Sequence, residues 1–210
     1  MVFGLAFILA SAHIGQGPQT PESALQALKT GNSRSLKPGY LSRITAGPDR
    51  NALAAGQEPF AIVLGCSDSR VPPEMVFDQR RGQLFVVRVA GNIVDPPTLG
   101  SVEYGVEHLH AKVVLVLGHA ECGAVKAAFA SDSDKASLAP NIQYILKKIH
   151  TGLATGSGSE KYRLAAIENV RFQLKALKSD PMLSADVAKK KLILVGGYYD
   201  LKTGKVEFLK

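Results

Sequence analysis

Five consecutive residues, Cys66-Ser67-Asp68-Ser69-Arg70, carry a thiol, a carboxylate and a guanidinium at alternate positions. In extended backbone, alternate side chains share a face, so these three groups are presented together. A second group, His119-Ala120-Glu121-Cys122-Gly123, offers an imidazole and a thiol three residues apart. Where a chain turns from strand into helix, that spacing sets both on one side of the turn. The first turn of a helix also favours a thiolate at Cys122. Cys66, His119 and Cys122 together make a two-sulfur, one-nitrogen set of the kind zinc takes at catalytic sites, with a fourth position open. The same residues also allow a single disulfide, two free thiols packed in a core, or a structural zinc closed by Asp68. A metal is favoured because both cysteines of the chain occupy equivalent places and one has a histidine beside it.

The elements that must position these groups follow from the hydrophobic pattern. Residues 60–64, 84–87, 113–117 and 192–195 are continuous apolar runs, the mark of strands buried on both faces. The reactive groups directly follow the first and third runs, at the carboxyl ends where open α/β sheets bind ligands. Thr20 and Pro21 predict a helix start, and Gly31-Asn32 its stop. Further helices are expected over 72–77, 99–110, 122–130, 141–149 and 161–177. Residues 33–58 read as loop with one short helix, and 198–208 as a hairpin turning at 202–205. This alternation predicts an α/β fold: a mainly parallel central β-sheet, four core strands plus a C-terminal hairpin or edge strand, flanked by helices. No repeat or internal boundary is visible, so 20–210 reads as one α/β domain behind an apolar segment, 1–19.

Of the 210 residues, 46% are hydrophobic and 20% charged, which supplies a core and argues against disorder. The net charge of +7 is scattered, apart from the short Lys189-Lys190-Lys191 run, which reads as a solvated surface and not a nucleic-acid footprint. No run reaches the roughly 18 apolar residues that a membrane span needs. Residues 2–12 are almost wholly apolar and end in Ala10-Ser11-Ala12, a small-x-small cleavage pattern, yet no Lys or Arg precedes them. Two readings stand: a signal peptide that exports the chain, to which the pattern leans, and an apolar extension on a cytoplasmic chain.

Cys66-Ser67-Asp68-Ser69-Arg70-Val71-Pro72-Pro73-Glu74, Arg88-Val89-Ala90-Gly91-Asn92, Gly100-Ser101-Val102-Glu103-Tyr104 and Gly118-His119-Ala120-Glu121-Cys122-Gly123-Ala124-Val125 together resemble a β-class carbonic anhydrase. The resemblance runs from about Thr20 to the hairpin around Tyr199-Asp200-Leu201-Lys202-Thr203-Gly204. It implies reversible hydration of carbon dioxide to bicarbonate, one Zn²⁺ per subunit, and a homodimer or dimer-based oligomer with the site near the subunit interface. It also implies that Gln57, Phe85 and Tyr104 line the substrate pocket. The residue chemistry fits. Zinc lowers the pKa of bound water toward about 7, a figure that belongs to carbonic anhydrases of the three-histidine type, and the hydroxide attacks the substrate carbon. Two thiolates cancel the charge of Zn²⁺. Arg70 then neutralises Asp68, which orients the hydroxide. Alternatively, Asp68 closes on zinc at low pH. Rival functions on the same residues are hydrolysis of carbonyl sulfide or carbon disulfide, and non-catalytic zinc binding.

Overall fold

The four apolar runs form strands, as their composition requires. In the computed structural model, which describes residues 17–40, 43, 50–152, 154 and 157–209, they are β1 (Ala61–Gly65), β2 (Leu84–Arg88), β3 (Val113–His119) and β4 (Ile193–Tyr199). The hairpin partner is β5 (Val206–Leu209). The sheet order is β2-β1-β3-β4-β5, parallel throughout except for the antiparallel β4–β5 pair. The mainly parallel α/β architecture expected from the pattern is therefore present. The N-terminal residues 1–16, and with them the signal-peptide reading, lie outside the described residues. No helix among the described residues is long and apolar enough to cross a membrane.

Side-chain alternation along buried strands builds one apolar layer on each face of the sheet. Ile62, Leu64, Cys66, Val114 and Val116 pack with Val102, Val106, Ala166 and Val170 on one side. Ala61, Val63, Val113, Leu115 and Leu117 pack with Ala24, Leu28, Val76 and Phe77 on the other. Helices α1 (Pro21–Ser35) and α3 (Pro73–Val76) cover the second face. The first is covered by α4 (Pro96–Glu107) and α8 (Gly158–Lys178), aided by α7 (Pro140–Lys148). Short helices α2 (Arg50–Ala55), α5 (Gly123–Ala127) and α6 (Asp132–Ala136) lie in connections, and α9 (Pro181–Ala188) precedes β4.

Helix ends depart from expectation for identifiable reasons. The α1 cap is the expected one, with the Thr20 side chain accepting from the Ser23 amide. The helix then runs through Gly31-Asn32 to Ser35. Gly31 is there for close approach: a Cβ would sit 1.8 Å from the Phe77 carbonyl oxygen. Buried Asn32 donates to Val76 and Gly204 carbonyls and accepts from the Val206 amide, tying α1 to the hairpin. Helix α4 begins at Pro96, not near 99, because Asp95 caps it in a reciprocal pair with Thr98. The same Asp-Pro start opens α9, which was not anticipated.

β3, which carries His119, and its neighbour β4 are set against α8 by one glycine each. Val170 of α8 is fully buried. A Cβ on Gly118 would lie 2.5 Å from its Cγ2, and one on Gly196 2.8 Å from its Cγ1. The β-branched side chain is stiff and cannot step aside. We therefore expect Gly118→Ala to cost about 1–3 kcal/mol of stability, and clearly less in a Val170→Ala background, where the space is free. Urea midpoints of the four proteins of this cycle check it; equal costs in both backgrounds would refute the packing account.

Candidate metal centre

The parallel register of β1 and β3 builds the site. Gly65 pairs with Leu117, so both strands end side by side, and the residues just beyond them meet. Cys66 follows β1, His119 closes β3, and Cys122 is the N-terminal cap residue of α5. Glu121 makes the turn between them in the left-handed region, φ 56°. The ligand atoms of Cys66, His119 and Cys122 all lie within 4.8 Å of one another, and all three residues are buried. The three segments expected to converge do so.

Whether these residues fit a cation is tested by their hydrogen bonds. His119 Nδ1 lies 2.8 Å from the Ala120 carbonyl oxygen. A carbonyl only accepts, so Nδ1 carries the proton and Nε2 presents a lone pair. That Nε2 is buried and has no partner, which is costly unless something electropositive occupies the space beside it. The two sulfurs are 3.9 Å apart. The Cys122 thiol pushes Cys66 down, against burial, with help from the Gly91 and Asp68 amides. Cys122 is pushed up by the adjacent Cys66 sulfur and by burial. The opposite directions describe one proton held between two sulfurs. A cation between the sulfurs would take the place of that proton. A soft, tetrahedral ion such as zinc suits two thiolates and an imidazole.

Asp68 and Arg70 form the expected pair. Both carboxylate oxygens are held, Oδ1 by Arg70 Nε at 2.8 Å and Oδ2 by Nη2 at 2.7 Å, with the Arg70 amide adding a third bond to Oδ1. The Arg70 guanidinium holds the carboxyl well below the usual carboxylate range, burial opposing it. Oδ1 thus has both lone pairs used, whereas Oδ2 keeps one free. Oδ2 is also the oxygen 3.9 Å from His119 Nε2. Asp68 therefore faces the cluster while held away from it.

Other residues that shape the site carried no sequence signal beyond the resemblance. Arg88, at the end of β2, donates to the Cys66 carbonyl at 2.9 Å and the Asp68 carbonyl at 2.6 Å, clamping the loop that carries both. The Gly91 amide donates to Cys66 Sγ at 3.4 Å.

The three pocket residues implied by the resemblance are not brought to the cluster within one chain. Gln57 shares a small cleft with Leu53 and Gly82, ahead of β1 and β2. The five residues of β1, at about 3.3 Å each, put it roughly 17 Å from the carboxyl ends. Phe85 pairs with Ile62, four residues short of Cys66. Tyr104 is 48% exposed, with its ring centroid 6.2 Å from that of Phe85 and 5.0 Å from that of His108.

Comparison with known proteins agrees with this geometry. Residues 61–206 match the family described as carbonic anhydrase. The chain is 36% identical over 190 residues to carbonic anhydrase 2 of Mycobacterium tuberculosis, covering 88% of this chain and 91% of that one. It is 34% identical over 193 residues to a carbonic anhydrase of Mycolicibacterium smegmatis, covering 89% and 92%. Among solved structures it resembles the β-carbonic anhydrase CcaA at a TM-score of 0.71 and 29% identity, over 77% of this chain and 84% of that one. It also resembles tetrameric β-carbonic anhydrases of Sordaria macrospora, at 0.69 and 28%, over 76% and 85%.

The donor set makes a direct prediction about metal. Zinc added to the apo chain should raise its unfolding temperature, with about 2.7 kcal/mol of stabilisation expected at a free concentration 100 times Kd. Cys66→Ser, His119→Ala and Cys122→Ser should each lose bound metal, whereas Asp68→Asn should keep it. Metal content of the purified variants is the check. Loss of zinc from Asp68→Asn would make Asp68 a ligand after all.

Proposed function

This chain belongs to the β-class carbonic anhydrase family, and we propose that it interconverts carbon dioxide and bicarbonate with one Zn²⁺ per subunit held by Cys66, His119 and Cys122. The observation that carries this reading is the buried, unpartnered Nε2 of His119 facing two sulfurs. Bound zinc would supply the Lewis acidity that ionises water near neutral pH. The rest is done by side chains of this chain. The reaction takes carbon dioxide and water to bicarbonate and one proton. Asp68 Oδ2, with its free lone pair, accepts a hydrogen bond from the attacking hydroxyl and points that oxygen's electrons at the substrate carbon. Arg70 holds the carboxylate in place and cancels its charge, which would otherwise oppose loss of a proton nearby. The Arg88 clamp on the Cys66 and Asp68 carbonyls keeps metal ligand and orienting carboxylate in one fixed relation.

Two contributions are separable by experiment. Arg70→Ala should retain zinc and lose about 10²-fold in kcat, because the carboxylate is then free to wander or to close on the metal. Stopped-flow carbon dioxide hydration with metal assay on the same sample measures it. Wild-type turnover with metal bound would exclude the orienting role, and a zinc-loaded wild type no faster than buffer would exclude the activity.

The pocket is completed by a second copy. β2 is the edge strand of the sheet, half-buried to exposed along its length; it carries Phe85, and Tyr104 of α4 sits beside that ring. A homodimer joined at this edge brings the partner's Gln57, Phe85 and Tyr104 to each cluster; such two-fold interfaces are self-complementary. Mixing Arg70→Ala chains with Gln57→Ala chains should then restore activity. One site of each heterodimer carries both defects and the other none, so random exchange recovers about a quarter of wild-type turnover. No recovery from a verified heterodimer would place Gln57 in the site of its own chain.

A further inference from the structure

Two buried amides on α8 do something that a core helix rarely needs. Asn169 is 0% exposed and Gln173 1%, and they lie one turn apart on the face turned toward the sheet. Asn169 Nδ2 donates to the Gly91 carbonyl at 2.8 Å. Its Oδ1 accepts from the His150 amide at 3.1 Å and from Gln173 Nε2 at 3.0 Å. Gln173 Nε2 also donates to the Lys148 carbonyl at 2.9 Å, and its Oε1 accepts from the Val94 amide at 2.8 Å. The four backbone groups belong to two stretches, 91–94 and 148–150. Replacing either amide by an apolar residue leaves buried polar groups without partners.

Both stretches converge on Gly91. Its backbone is left-handed, φ 71° and ψ 15°, and a Cβ there would lie 2.7 Å from Ile149 Cδ1. Asn169 holds the carbonyl of Gly91. The same amide pair grips Lys148 and His150, on either side of Ile149, whose side chain fills the space where a Cβ of residue 91 would stand. Held in this way, Gly91 donates its N–H to Cys66 Sγ, 3.4 Å away.

We propose that Asn169 is a positioning residue of the metal centre: through the Gly91 carbonyl it aims the Gly91 N–H at the Cys66 sulfur. The inference rests on the zinc reading above. An N–H donor on a metal thiolate draws electron density from the sulfur, so the sulfur gives less to the metal and the metal stays a stronger Lewis acid. At a site where two thiolates already cancel the ion's charge, this restores part of the acidity that the chemistry needs. Asn169 thus acts at two removes, touching neither metal nor substrate.

The test is Asn169→Leu, close in volume and unable to hold the carbonyl, compared with Gln173→Leu, which frees Val94 and Lys148 but leaves Asn169 on Gly91. Each is read in the full-length protein by zinc competition against a chelator and by the visible spectrum of the cobalt(II) form. Asn169→Leu should move the sulfur-to-cobalt charge-transfer band to longer wavelength, and it should lose about 10- to 100-fold in zinc affinity at neutral pH, because a Cys66 thiolate without the amide bond is more basic and its proton competes better with the metal. Gln173→Leu should lose stability and keep the wild-type band. A folded Asn169→Leu with wild-type affinity and band, or a Gln173→Leu band shifted equally, overturns the proposal. Should Asn169→Leu fail to fold, the wild type decides: in the cadmium-113 form the Gly91 amide proton should show scalar coupling to the metal, and absence of that coupling overturns it. A wild type that takes up neither zinc nor cobalt removes the zinc reading and this inference together, whereas normal uptake with the negative results above removes this inference alone.

Discussion

Two sulfur atoms 3.9 Å apart in a buried place cannot both carry charge unless a cation lies between them. The molecule around them is organised to bring that about. Burial raises the cost of each thiolate and also strengthens whatever attraction compensates it. Parallel pairing of β1 with β3 is what makes the convergence possible. Two strands running the same way release their next residues at the same edge, so a ligand after one meets ligands after the other. An antiparallel pair would have placed these residues at opposite ends of the sheet. The fully buried strands and the two packed faces hold the three side chains in one place.

A carboxylate next to such a cluster could also reach a cation held there, and in this arrangement it is engaged by a guanidinium instead. Asp68 gives two oxygens to one guanidinium in a charge-assisted, two-pronged arrangement. Moving either oxygen elsewhere requires breaking that pair and leaving Arg70 without its anion. Arg88 adds a second restraint on the backbone on both sides of Ser67. Arg70 also reaches the Glu121 carbonyl at 3.3 Å, so the guanidinium bridges the loop after β1 and the turn after β3. The Arg70 guanidinium thereby holds the Asp68 carboxylate and ties together the two segments that carry Cys66 and Cys122.

How far this was legible in the sequence depends on which residues announce themselves by type. Continuous apolar runs announced the strands and their parallel arrangement, and unusual residues at strand ends announced the cluster of Cys66, His119 and Cys122, because thiols and an imidazole have few other uses in such places. Helix ends were harder. Gly31-Asn32 reads as a stop by local propensity, but tertiary contact with Phe77 and the hairpin overrides it. The starts at Pro96 and Pro181 were written in Asp-Pro pairs and could have been found. Asn169 and Gln173 could not. On a helix a polar residue reads as solvated, and only the fold reveals that this pair faces backbone groups that lack partners. Gln57, Phe85 and Tyr104 were legible through family likeness alone, since a single chain leaves them away from the cluster.

That last failure is informative. A sequence encodes the surface needed by the assembly as well as the interior of one chain, and the two are told apart by burial. Strands β1 and β3 are buried at every position, whereas β2, with a comparable apolar content, is half-buried and ends exposed. Edge strands left open are an invitation to pair, and proteins that keep them open usually cap or charge them. Here the flanking surface is Phe85 and the half-exposed Tyr104, aromatic groups suited to a subunit contact and not to solvent. The same aromatic residues cannot serve the cluster of their own chain, because the length of β1 intervenes. An edge of this kind, apolar and only half-covered by its own chain, is where the proposed two-fold contact would form.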